Sequence, residues 1–113
     1  MSEPILAFPA TGNAAINLSA AVPVSSAYQV ISLSVHFSAA PTTAGNLTVT
    51  LNSHFGAVYD VLLYSVDPSS GAITDIFWQP DEEIDLIGGD TIDVAYTNTD
   101  VRTYGAVLTL KAV

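Results

Sequence analysis

The sequence predicts an all-β fold: an antiparallel β-sandwich, jelly-roll-like, of about eight short strands. Three observations carry that expectation. Several apolar runs alternate at period two with Ser, Thr or Asp, the pattern of strands with one face in a core. Turn chemistry separates the runs, as in Asp67-Pro68-Ser69-Ser70-Gly71, Gly88-Gly89-Asp90 and Asn98-Thr99-Asp100. No stretch combines helical periodicity with a cap over a useful length.

Taken in order, residues 1–13 read as an N-terminal extended arm, and residues 14–113 as a single sandwich domain. In the arm, Ile5, Leu6 and Phe8 are apolar, but Pro4 and Pro9 bracket them. Any strand there is expected to be short or at an edge. Ile16 and Leu18 define a weak strand that ends before Pro23. The clearest strand follows, with Ile31, Leu33, Val35 and Phe37 alternating with Ser32, Ser34, His36 and Ser38. Leu47, Val49 and Leu51 define the next. Residues 59–66 are apolar on both faces apart from Asp60 and Ser65, which predicts a central strand or one with a face at a subunit contact. Residues 73–78 return as its hairpin partner, and the Gln79-Pro80 pair breaks the pattern. A meander closes the chain: Ile84, Leu86 and Ile87, then Ile92, Val94 and Tyr96, then Tyr104, Ala106, Leu108 and Leu110.

Composition bounds the function. The chain has 113 residues, enough for one domain. Only 12% of them are charged and 50% are hydrophobic, with a mean hydropathy of +0.45. A small domain with so few charges is expected to hide part of its surface against other protein, as an oligomer or an assembly component. The net charge is −9, with Arg102 and Lys111 the only permanent cations. That disfavours nucleic acid and anionic membranes as partners, since both are recognised through Lys and Arg. There is no cysteine, so no disulfide, thiolate metal site or Cys nucleophile. The first residues lack a basic segment followed by a long apolar one, so no signal peptide is expected.

Few residues suggest chemistry. Asp75, Asp81, Glu82, Glu83, Asp85, Asp90, Asp93 and Asp100 crowd the last third of the chain. They lack the alternating spacing of a calcium loop and read as a solvated acidic face guarding an edge. His36 and His54 lie on different segments and make a poor zinc set. The Gly88-Gly89 pair joins two strands and is no phosphate cradle. No cofactor, metal or catalytic group is expected, and the chain is not read as an enzyme. Trp78, beside a Pro-containing turn, is read as a core or interface anchor rather than a sugar-binding platform.

The segment from Asp85-Leu86-Ile87-Gly88-Gly89-Asp90-Thr91-Ile92-Asp93-Val94 to Thr97-Asn98-Thr99-Asp100-Val101-Arg102-Thr103-Tyr104-Gly105, preceded by Trp78-Gln79-Pro80-Asp81, resembles small β-sandwich virion proteins of tailed bacteriophages. Ser38-Ala39-Ala40-Pro41-Thr42-Thr43 and Tyr64-Ser65-Val66-Asp67-Pro68 fit the likeness, which covers residues 28–113. The resemblance implies a structural subunit, a capsid decoration or cement protein, assembled in the host cytoplasm into the virion. Its partners would be the major capsid protein, copies of itself, or both, through a homo-oligomer. Ile5, Leu6 and Phe8 of the arm and Trp78 are the expected partner-binding residues. The alternative is a receptor- or glycan-binding head of a tail fibre or adhesin.

Overall fold

The alternation read along the chain becomes nine strands in a computed structural model, which describes residues 5–113. They are β1 (Ile5–Gly12), β2 (Ile16–Ala21), β3 (Ala27–Phe37), β4 (Leu47–Asn52), β5 (Val61–Val66), β6 (Asp75–Trp78), β7 (Asp85–Ile87), β8 (Thr91–Tyr96) and β9 (Tyr104–Ala112). Among the described residues a single 3-10 turn, Ala57–Tyr59, interrupts them. All pairings are antiparallel.

The strands form two packed sheets. One runs β1-β9-β3-β6 with β7 also on β3; the other runs β2-β8-β4-β5. The pairs β1·β9, β2·β8, β3·β6 and β4·β5 nest inside one another along the chain. The chain is therefore one long antiparallel ribbon, rolled so that alternate pairs fall in opposite sheets. That is the jelly-roll path. β6 and β7 occupy one lane: β9 fills the other flank of β3, and β6 pairs with residues 33–36 of β3 while β7 pairs with residues 27–29. The nine strands thus fill eight lanes, one of them broken by the excursion at residues 79–84.

The core lies between the sheets. Ile16, Leu18 and Ala20 line it from β2 and Val22 from just beyond it, Ile92, Val94 and Tyr96 from β8, and Tyr104, Ala106, Leu108 and Leu110 from β9. Burying a Leu or Ile side chain stabilises by about 1.5–3 kcal/mol, so this layer dominates the fold's energetics. In β3 the inward set is Val30, Leu33, Val35 and Phe37, and Ile31 is only half-buried. The strict alternation expected from Ile31 onward fails at its first residue because a bulge lies between Val30 and Ser32. One extra residue there moves the inward position from Ile31 to Val30.

Four expectations need correction. The segment taken as an extended arm is, over its described part, an eight-residue strand, at a sheet edge as its prolines implied but not short. β1 pairs with β9 from Ile5 opposite Lys111 to Gly12 opposite Tyr104. Leu6, Phe8 and Ala10 pack against the core, and Pro9 is tolerated because β1 has a neighbour on one side only. Residues 1–4 lie outside the described residues. Second, residues 61–66 form no central strand. β5 is an outer strand of its sheet, and its Val61 and Leu62 are exposed, which leaves the alternative of a face at a subunit contact. Third, residues 73–78 are not its hairpin partner: β6 pairs with β3, and β5 with β4. Fourth, the last three strands form no meander, because β7 and β9 pair with β3 in one sheet while β8 pairs with β2 and β4 in the other. In the rolled ribbon each strand meets its nested counterpart rather than its neighbour in sequence.

Candidate functional site

The expected partner-binding residues do not form one surface. Ile5 is exposed, whereas Leu6 and Phe8 point the other way, into the sandwich. Period-two geometry makes that split unavoidable once the segment is a strand. Trp78 ends β6 at the opposite edge of the same sheet from β1. It is half-buried and stacks on Tyr64 of β5, with ring centroids 5.4 Å apart and planes 18° from parallel. The stack closes the gap between two outer strands, one from each sheet. One ring face of Trp78 is therefore committed to the fold.

The acidic residues are also dispersed. Asp75 accepts from His36 on the outer surface at 2.6 Å if the ring nitrogen carries the proton. The His36 contact first, then the Thr74 hydroxyl, holds its carboxyl below the usual range. Asp93 accepts from the Ser19 hydroxyl at 2.6 Å. Gln29 donates to Glu83 and Asp85, so the excursion folds over the outer face of the β1-β9-β3 sheet, beside Lys111. Asp100 ties two loops together: it accepts from the backbone N–H groups of Thr42 and Thr43, both at 2.8 Å, and from both hydroxyls. Among the described residues, no three His, Asp or Glu side chains converge as metal ligands would.

Asp90 departs furthest from the reading of a solvated acidic face. It is buried. Its carboxylate accepts from the backbone N–H of His54 at 2.9 Å, from the His54 ring Nδ1 at 2.6 Å, and from the backbone N–H of Ile87 at 3.1 Å. Burial pushes its carboxyl up, but these bonds outweigh burial and leave it below the ordinary value. The turn before it fits as closely. A Cβ on Gly88 would lie 2.9 Å from the backbone of Pro23, Val24 and Ser25, and one on Gly89 would lie 2.9 Å from the His54 Cβ. The turn thus clasps the loops after β2 and after β4.

What the clasp holds is the loop at residues 53–60. Inside it, Gly56 N–H donates to the Ser53 carbonyl, Tyr59 N–H to that of Gly56, and Asp60 N–H to that of Ala57. The Asp60 carboxylate accepts from Ser53 N–H, and the Ser53 hydroxyl accepts from Phe55 N–H. Gly56 takes φ +121°, a value that L side chains rarely adopt. A loop this well bonded has a fixed shape, yet its apolar side chains face water. Val58 is 94% exposed, Phe55 67% and Tyr59 61%, and the surface continues into β5 with Leu62 at 59% and Val61 at 48%. The Phe55 ring lies against those of His54 and Tyr59, at 3.9 and 5.8 Å between centroids.

This strip is the candidate functional site. Neither Phe55 nor Val58 is among the partner-binding residues expected from the sequence. A signal was available: the apolar character of residues 59–66 on both faces extends back to Phe55. In chemical terms the strip can bury apolar area against a partner and offer the outer backbone edge of β5 for pairing.

Comparison with protein-family models and with curated proteins finds no match for this chain.

Proposed function

We propose that this chain is a structural subunit that works by docking, most concretely a capsid decoration or cement protein in the virion of a tailed bacteriophage. One observation carries the docking: a loop bonded into a fixed shape turns Phe55, Val58 and Tyr59 to water beside an open strand edge. Preorganised apolar side chains lose little entropy on association, so such a surface favours binding. The virion assignment rests on the resemblance of residues 28–113 to small phage β-sandwich proteins, and the jelly roll agrees with it. The major capsid protein and copies of the chain itself are the partners in this reading. The glycan-binding alternative draws less support, because one ring face of Trp78 is already occupied by Tyr64.

The test is the composition of the particle. Particles purified from a host carrying the encoding genome should contain the chain in many copies by quantitative mass spectrometry. Deleting its reading frame should give heads that lose integrity at lower temperature, and adding purified protein back should restore them. Particles that lack the chain overturn the assignment.

A further inference from the structure

We infer that residues 55–62 seat a second copy of this chain, with two β5 edges running antiparallel about a two-fold axis near Leu62. The inference rests on the docking reading above and names the partner at that same surface.

The four sheet edges differ. β1 carries Pro9, and the β6–β7 lane is broken by an excursion holding Pro80, Asp81, Glu82 and Glu83. These are the devices by which proteins keep edges from pairing. The side chains β2 turns outward are Asn17, Ser19 and Ala21, all small or polar. β5 has no proline and no charge, and it exposes Val61 and Leu62; its one irregularity is the bulge at Leu63, opposite β4. An edge with neither proline nor charge, flanked by apolar side chains, is a pairing surface, and antiparallel pairing of identical strands is self-complementary under a two-fold axis.

Area and charge point to the same partner. The five exposed residues together present on the order of several hundred Å² at their observed exposures, most of the ~800 Å² that each partner contributes to a standard interface. Copies carrying a charge of −9 can meet only where carboxylates are sparse. The strip supplies that. Asp60 is its single acid and is bonded to Ser53 N–H, while residues 81–83 fold over the outer face of the other sheet. Self-association of an anionic chain should strengthen as salt rises, whereas docking onto a basic partner should weaken.

Sedimentation velocity of the whole chain over a range of protein and salt concentrations tests this, with circular dichroism to monitor folding. The wild type should form dimers, and more of them at high salt. Val58→Lys and Leu62→Glu should each weaken the dimer by about ten-fold or more, as loss of an interface anchor does. Phe77→Ser, exposed on the outer face of the other sheet, should leave it unchanged. Val58 is almost fully exposed, so its variant stays informative even if Leu62→Glu misfolds. A wild type that sediments as a monomer throughout, or a dimer that survives Val58→Lys, overturns the inference. The docking function is judged separately: a monomer still found in particles leaves that function standing, and a dimer absent from particles removes the virion assignment alone.

Discussion

Asp90 accepts two hydrogen bonds from one residue, His54, through its backbone N–H at 2.9 Å and its ring Nδ1 at 2.6 Å. Through this pair, the turn between β7 and β8 fixes the start of the loop that carries Phe55, Val58 and Tyr59. Asp90→Ala should remove that anchor and leave the Ile87 and His54 N–H groups short of an acceptor. A loss of about 2–3 kcal/mol in stability is expected, as for buried donors left unpaired beside a lost carboxylate. Urea unfolding measures it. Self-association should fall as well, since the loop loses its fixed shape.

Gly88→Ala should destabilise by about 1–3 kcal/mol, the usual penalty for forcing atoms into a filled site. The new methyl would meet backbone atoms of Pro23, Val24 and Ser25, which cannot swing aside as a side-chain tip can. Gly105→Ala is the control, because nothing lies within 4 Å of a Cβ there. The two variants compared by thermal unfolding should separate clearly.

Asp100 gives the fold an acid-sensitive tie. The N–H groups of Thr43 and Thr42 and the Thr43 hydroxyl hold its carboxyl at about 2, with burial opposing and the Thr42 hydroxyl adding to the effect. A carboxyl with a depressed folded-state value stabilises above its unfolded value near 3.9, and the benefit is lost as pH falls through the folded value. Asp100→Asn should therefore lower Tm at pH 7. The gap between variant and wild type should shrink below about pH 4 and close near pH 2. A gap that stays constant over that window would contradict the assigned tie.

Deleting residues 1–10 should damage the fold itself. The deletion removes Leu6 and Phe8 from the core and strips β9 of a neighbour. A lower denaturation midpoint and faster amide exchange in β9 are expected. A truncated protein as stable as the full chain would show that β1 is dispensable.

The parts of the fold that were legible in the sequence are those where period two is unbroken. Ile92, Val94 and Tyr96 of β8 and Tyr104, Ala106, Leu108 and Leu110 of β9 are buried as the alternation implies. Legibility failed where the backbone departs from regular pleating. The bulge after Val30 exchanged Ile31 for Val30 in the core, and no local residue type signals it. Pro4 and Pro9 suggested an arm because a proline excludes a strand only when both edges are paired, and pairing is not written locally.

The candidate site was less legible than the fold. Phe55 and Val58 are apolar residues in a short connection, and the sequence cannot tell whether such side chains fold inward. Their outward orientation follows from bonds made at long range, by Asp90 to His54, and at short range, by Asp60 to Ser53. Asp90 itself looked like one more surface acid, because a buried carboxylate is recognised only once its donors are in place.

Hydrogen exchange followed by mass spectrometry, at low and at high protein concentration, tests the docking surface most directly. Peptides spanning residues 55–62 should exchange more slowly at high concentration, while those spanning residues 79–84 should not change. Equal exchange of residues 55–62 at every concentration, or a slowing confined to β1, would contradict docking through this surface.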